Sequence, residues 1–216
     1  VAGQTSTTID YIDAVDRFRP VVIGLVLALS FGVLLLAFRS LVVPLVAIAM
    51  NLLGVGAAYG LLVLVTQEGH GAGLLGLQQV STIEAWLPLF LFSILFGLSM
   101  DYHVLLLSRI RERYAETGDA TGSIADGVRS SARLITGAAL IMVAVFSGFA
   151  TGRLVGFQQM GFGLAAAVLI DATLVRCVLV PATMRLLGHW NWWLPDRVAR
   201  WLQRIPAPEL EPGVGR

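Results

Sequence analysis

An all-α membrane protein, built as a bundle of five transmembrane helices, is the fold class this sequence predicts. Three observations carry it. Of 216 residues, 56% are hydrophobic and only 13% charged, against about 25% charged in ordinary soluble domains. The mean hydropathy is +0.79. Several apolar runs are long enough to cross roughly 30 Å of hydrocarbon at about 1.5 Å per residue, and none alternates with the period of two that a barrel strand needs. Lipid cannot satisfy free backbone groups, so such runs must be helices.

The spans follow in order. Residues 20–38 form the first, 41–65 the second, 85–108 the third, 134–152 the fourth and 154–184 the fifth. Three are free of charge; the third is interrupted by Asp101, the fifth by Asp171 and Arg176. Together they make a transmembrane domain over 20–187. Ahead of it, in "TTIDYIDAVDRF", Ile9, Ile12, Val15 and Phe18 step along one side and Asp10, Asp13 and Asp16 along another, so residues 1–19 read as an amphipathic lead-in from an outer domain. Behind it, residues 188–216 hold "HWNWW" and then "PDRVARWLQRIP", with Val198, Trp201, Leu202 and Ile205 opposite Arg197, Arg200 and Arg204. That pattern suits a helix lying on the anionic inner leaflet; a tail packed on other protein is the alternative. The ending "PAPELEPGVGR" reads as disordered. Gly56 and Gly60 stand at GxxxG spacing and "GFGLAAA" occupies 161–167, small residues that allow close helix approach or plain packing.

Arginine placement orients the spans. Arg109, Arg111, Arg113, Arg129 and Arg133 follow the third span, and Arg185, Arg197, Arg200, Arg204 and Arg216 follow the fifth, whereas the loop at 66–84 has none. The excess makes the first two segments cytoplasmic, with Arg17, Arg19 and Arg153 as a minority against the trend. The N-terminus is then extracytoplasmic, the C-terminus cytoplasmic, and the location the plasma membrane. A net charge of +1 gives no reason to expect a nucleic-acid partner. With the single Cys177 and three scattered histidines (His70, His103, His189), no disulfide framework, metal site or cofactor is expected. No phosphate loop or Ser-His-Asp arrangement points to an enzyme. The chain starts at Val1 without a signal-peptide pattern and reads as a piece of something longer.

An ionisable group at membrane depth is a functional-site candidate by default, because its burial costs at least about 2.5 kcal/mol. Asp101 lies about two-thirds along its span, toward the cytoplasm. Low dielectric favours its neutral form, and a nearby hydroxyl or cation favours the charged one; between these influences a carboxyl can load and release protons. Tyr102 follows roughly 100° further around the helix, so both can face a bundle interior but meet different neighbours. The plainer reading of Asp101 is a hydrogen bond gluing helices. His103 lies about 200° from Asp101 and faces away from it, which favours an ordinary polar contact near the inner interface over a titrating role. Asp171 and Arg176 are about 140° apart on an α-helix, poorly placed to pair with each other, so each is expected to find a partner elsewhere. Asn51 reads most simply as an interhelical hydrogen bond.

With those residues in place, the chain resembles the C-terminal membrane half of an MMPL-type transporter of the RND superfamily, over nearly its whole length. "GLSMDYHVLLLSRIRERY" is similar to the family's central Asp-Tyr helix, "SIADGVRSSARLITGAALIMVAVFSGFA" to the inner loop and helix that follow, and "LIDATLVRCVLVPATMRLLGHWNWWLP" to the last helix. The resemblance implies one half of an RND-type membrane domain, whose N-terminal half is its partner. It implies proton-driven export of lipids or other hydrophobic compounds. Asp101 and Tyr102 would form a proton relay facing a matching pair, and Asp171 and Arg176 match polar positions of the last helix, with a structural salt-bridge role and a proton-path role equally open. Where many relatives have Glu after Asp-Tyr, this chain has His103. Two other readings stand beside it. An intramembrane aspartyl protease would use Asp101 and Asp171, although the chain has GLSMD where that family has GxGD. A non-transporting membrane scaffold would leave Asp101 replaceable.

Overall fold

The computed structural model describes residues 4–195, with side-chain surroundings from Asp10 onward. The amphipathic helix and tail expected after Pro195 lie outside these residues. The described residues are helical, with no strand among them: α1 (Gln4–Phe38), α2 (Val42–Thr66), the short α3 (Ala72–Leu75), α4 (Leu87–Thr117), α5 (Ala120–Ala150), α6 (Val155–Ile170) and α7 (Val180–Leu187). Between α6 and α7, residues Asp171–Leu179 are π-helical, and Gly188–Trp192 form a 3₁₀ helix after α7. Five of these helical stretches are long and apolar enough to cross a membrane, the last running unbroken through α6, the π segment and α7. The protein is a multi-pass membrane protein.

The lead-in and the first apolar run form one helix, since α1 passes without a break through Pro20. The charged stretch after the third span is helical too. α4 continues to Thr117, Gly118 turns the chain at φ 68° with its N–H on the Tyr114 carbonyl, and the Asp119 carboxylate caps α5 by accepting from the Thr121 N–H at 3.0 Å. This conformation is left-handed, which a glycine adopts without a side-chain clash. Arg109–Glu112, Arg113–Glu116 and Arg113–Asp126 ion pairs line the exposed hairpin at 3.2, 2.9 and 3.2 Å.

Buried apolar residues form two large clusters and a small third one at Val65, Ala72 and Leu77. Leu34, Phe38, Val43, Leu106, Ile110 and Met184 fill the end where α1 turns into α2. Ala58, Leu62, Leu87, Leu91 and Leu164 fill the other. At that second end, the side-chain amides of Gln158 and Gln159 tie α6 to the 76–84 loop through backbone groups of Gln78, Thr82 and Glu84. Glycine spacing alone does not reveal the closest helix approach. A Cβ on Gly56 or Gly60 would meet nothing within 4 Å, whereas one on Gly161 would lie 2.5 Å from the Ala150 nitrogen and 2.6 Å from the Phe146 oxygen. α6 therefore packs backbone to backbone against α5 at Gly161.

Candidate functional site

Five polar residues from three of the spans gather where the two large apolar clusters meet. Asn51 of α2 lies between Ala47 and Ala58, Ser99 of α4 between Leu95 and Leu106, and Asp171 between Val168 and Val175. Asn51, Ser99, Tyr102, Asp171 and Arg176 line one small cavity there.

Its strongest interaction is an ion pair that an α-helical reading of the sequence excludes. The Arg176 Nε donates to Asp171 Oδ2 at 2.8 Å, and Nη2 to the same oxygen at 2.6 Å. The 140° separation expected for the two side chains does not apply, because residues 171–179 are π-helical. A π-helix bonds i to i+5 instead of i to i+4, which stacks residue 176 over residue 171. The Cys177 thiol on the Ala172 carbonyl at 3.2 Å is a second i,i+5 contact of that register. Arg176 also reaches another helix, as expected: Nη2 donates to the Ser99 carbonyl at 2.9 Å and lies 3.2 Å from Ser99 Oγ. Ser99 Oγ in turn donates to Asp171 Oδ1 at 3.2 Å. The guanidinium carbon sits 4.9 Å from the centre of the Tyr102 ring, a cation–π contact. Arg176 is 3% exposed and Asp171 17%.

Asp101 is in a different space. Its side chain is exposed in a groove of about 380 Å³ between α1 and α4, among Val26, Leu29, Ser30, Val33, Phe96, Gly97 and Val104. Of the Asp-Tyr pair only Tyr102 turns toward the interior of these helices, and the pair does meet different neighbours. His103 is buried, with Nδ1 3.0 Å from the Ser99 carbonyl oxygen and 3.2 Å from Ser99 Oγ. It thus makes a polar contact within its own helix, while its ring borders Val43, Ala47, Leu107 and Met184 instead of the Asp101 groove. Ser99 joins Arg176, Asp171 and His103, a role its sequence position does not signal. A hydroxyl two residues ahead of Asp101 is an ordinary sight in a membrane helix, and nothing in its spacing marked it. Asn51 differs from expectation: its Nδ2 is buried without a hydrogen-bond partner among the described residues.

The sequence profile of the MMPL family matches residues 1–209. The chain belongs to the MMPL family. Within that family it is 43% identical to the heme uptake protein MmpL11 of Mycobacterium tuberculosis, an alignment that takes in 99% of this chain and 22% of the relative. It is 44% identical to the mycolic acid-containing lipids exporter MmpL11 of Mycolicibacterium smegmatis, over 98% of this chain and 22% of the relative. The trehalose monomycolate exporter MmpL3 of the same organism is 36% identical over 95% of this chain and 20% of the relative. This MMPL chain thus spans about a fifth of the length of the curated relatives it matches.

Proposed function

We propose that this MMPL chain is one membrane half of a proton-driven exporter of lipids or other hydrophobic compounds, with Asp101 and Tyr102 as its proton relay. One observation carries the reading. Asp101 presents a carboxyl to the outside of the helix bundle from near the middle of α4, where an unpaired charge facing lipid is costly, while Tyr102 beside it faces a buried ion pair. A carboxyl so placed is satisfied by a second helical bundle laid against the α1–α4 groove. The partner is the other half of the same transporter, and protons exchanged across that seam drive rocking of one half against the other. Asp171, Arg176 and His103 form the polar ground behind the relay. The names of the relatives, two lipid exporters and a heme uptake protein, support a hydrophobic cargo. The arginine asymmetry supports a plasma-membrane protein with its N-terminus outside and C-terminus inside.

The protease reading has less support. An aspartyl dyad needs two carboxyls sharing a proton, and here Asp101 opens onto the α1–α4 groove while Asp171 is bound to Arg176 and Ser99. The test is Asp101→Asn in the full-length transporter, expressed in cells lacking it, with extracted surface lipid as the readout. Export is expected to fall to background while the protein still reaches the membrane. Export at the parental rate would overturn the relay.

A further inference from the structure

The cavity lined by Asn51, Ser99, Tyr102, Asp171 and Arg176 has two donors aimed at no acceptor. Asn51 is 4% exposed and Arg176 3%. Arg176 commits Nε and Nη2 to Asp171 and Ser99, but its Nη1, like the Asn51 Nδ2, is buried without a partner among the described residues. Leaving a buried donor unsatisfied costs about 1–3 kcal/mol, and more on a charged group. Two such donors on residues lining one cavity point to a ligand that accepts hydrogen bonds. The cavity leaves about 20 Å³ for the centres of water molecules, and one water needs roughly 10–15 Å³ of such room. Charge decides between water and an anion. Asp171 already balances Arg176, so a halide would add an uncompensated charge to a low-dielectric site, whereas a water adds none.

We infer that this cavity is a water-binding site held by Asn51 and Arg176, and that its water joins Tyr102 to the Asp171–Arg176 pair as an inner branch of the proton path. The second clause rests on the relay reading. The water accepts from Asn51 Nδ2 and Arg176 Nη1 and keeps both of its own hydrogens to donate. Two residues that line the same cavity carry acceptors: Tyr102 its hydroxyl, and Asp171 its Oδ1, which takes one hydrogen bond from Ser99 Oγ and has capacity for another. Asn51 is then a positioning residue: it lines a different cavity from Asp101 and acts through the water.

The role of Asn51 can be separated from plain packing by two substitutions whose order reverses between the two cases. Asn51→Leu fills the cavity with an apolar side chain and expels water. Asn51→Ala enlarges it and lets a second water take the amide's place. If Asn51 only packs, Ala is the worse variant because it leaves a hole. If the site binds water, Leu is the worse one. The readout is proton flux into proteoliposomes holding the full-length transporter with an entrapped pH dye. About a tenfold loss is expected for Asn51→Leu and under about threefold for Asn51→Ala, on the ground that only the former dries the site. Independently, a structure of the unmodified full-length protein at water-resolving resolution is expected to show density bonded to Asn51 Nδ2 and Arg176 Nη1. An empty cavity there, or Asn51→Leu conducting as fast as Asn51→Ala, would sink the proposal. Asp101→Asn run alongside keeps the two ideas apart: lost flux in Asp101→Asn with no deficit in Asn51→Leu removes the water branch and leaves the relay.

Discussion

Asp101 and Asp171 are both single carboxylates in apolar spans, and their surroundings are opposite. Asp171 is nearly enclosed, takes two hydrogen bonds from Arg176 and one from Ser99, and belongs to a closed polar cluster. Asp101 stands exposed in an apolar groove, with no ion-pair partner among the described residues. The physical cost of a charge in hydrocarbon applies to both. At Asp171 these helices meet it themselves, through a local change of helical register. At Asp101 the described residues do not, and under the proposed relay the partner half does. A charge that its own fold neutralises also holds that fold together. One left facing outward is available to exchange a proton with a partner.

The largest effects separate the two residues by kind. Asp101→Asn is expected to abolish export, by more than about 100-fold, while changing stability by less than about 0.5 kcal/mol, the range of substitutions outside packed sites. Tyr102→Phe is expected to reduce export less, because it removes a hydroxyl and keeps the ring that Arg176 covers. Asp171→Asn should do the reverse in the stability assay. It leaves a buried guanidinium uncompensated, at about 3–5 kcal/mol, which denaturant unfolding in detergent would read as a lower midpoint. The double change Asp171→Leu with Arg176→Met is expected to recover most of that loss, since an apolar pair of similar volume is often neutral. If Asp171→Asn unfolds at the parental midpoint, the contrast between the two aspartates fails.

A smaller effect tests how the last span is seated. Gly161→Ala drives a methyl against the α5 backbone at Ala150 and Phe146, atoms that cannot rotate away. Overpacking of this kind costs about 1–3 kcal/mol. Gly56→Ala meets open space and is expected to be neutral or mildly stabilising, although the sequence presents Gly56 and Gly60 as the more familiar motif.

What the sequence made legible follows from which physical rule was sufficient. Hydropathy and length alone find the five spans, because lipid leaves a long apolar run no other structure. The divergence of Asp101 and Tyr102 follows from the 100° step of α4, which is regular there. The same rule failed at Asp171 and Arg176, because a π segment breaks the 3.6-residue period that the projection assumed. No residue in "DATLVRCVL" announces that break, and the ion pair becomes visible only with the backbone in hand. The helical hairpin at 109–133 was open to a closer reading. Arg109–Glu112 and Arg113–Glu116 at three-residue spacing mark a helix running past the membrane, and Gly118–Asp119 is a stop followed by a cap. The orphan amide of Asn51 was beyond reach, because a lone asparagine in a span says nothing about whether its partner is protein or water.

The smallest expected effect is the sharpest test of the register argument. If the π segment exists to bring residue 176 over residue 171, removing one residue between them should leave the pair standing in an α-helix. Thr173 is the residue to delete: it is exposed, and among the described residues its hydroxyl bonds only to the Leu169 carbonyl one turn back. Deletion places the aspartate and arginine four apart, on one face of an α-helix. α7 keeps roughly its facing, because a π turn holds about one residue more than an α turn and the deletion takes one away. Stability within about 1 kcal/mol of parental is expected, a fraction of the buried-pair penalty. Deleting the equally exposed Leu169 from the regular α6 supplies the control. It rotates everything after it by about 100°, carries Arg176 away from Ser99, and should cost as much as Asp171→Asn. Equal damage from both deletions would mean that the π turn is incidental to the ion pair.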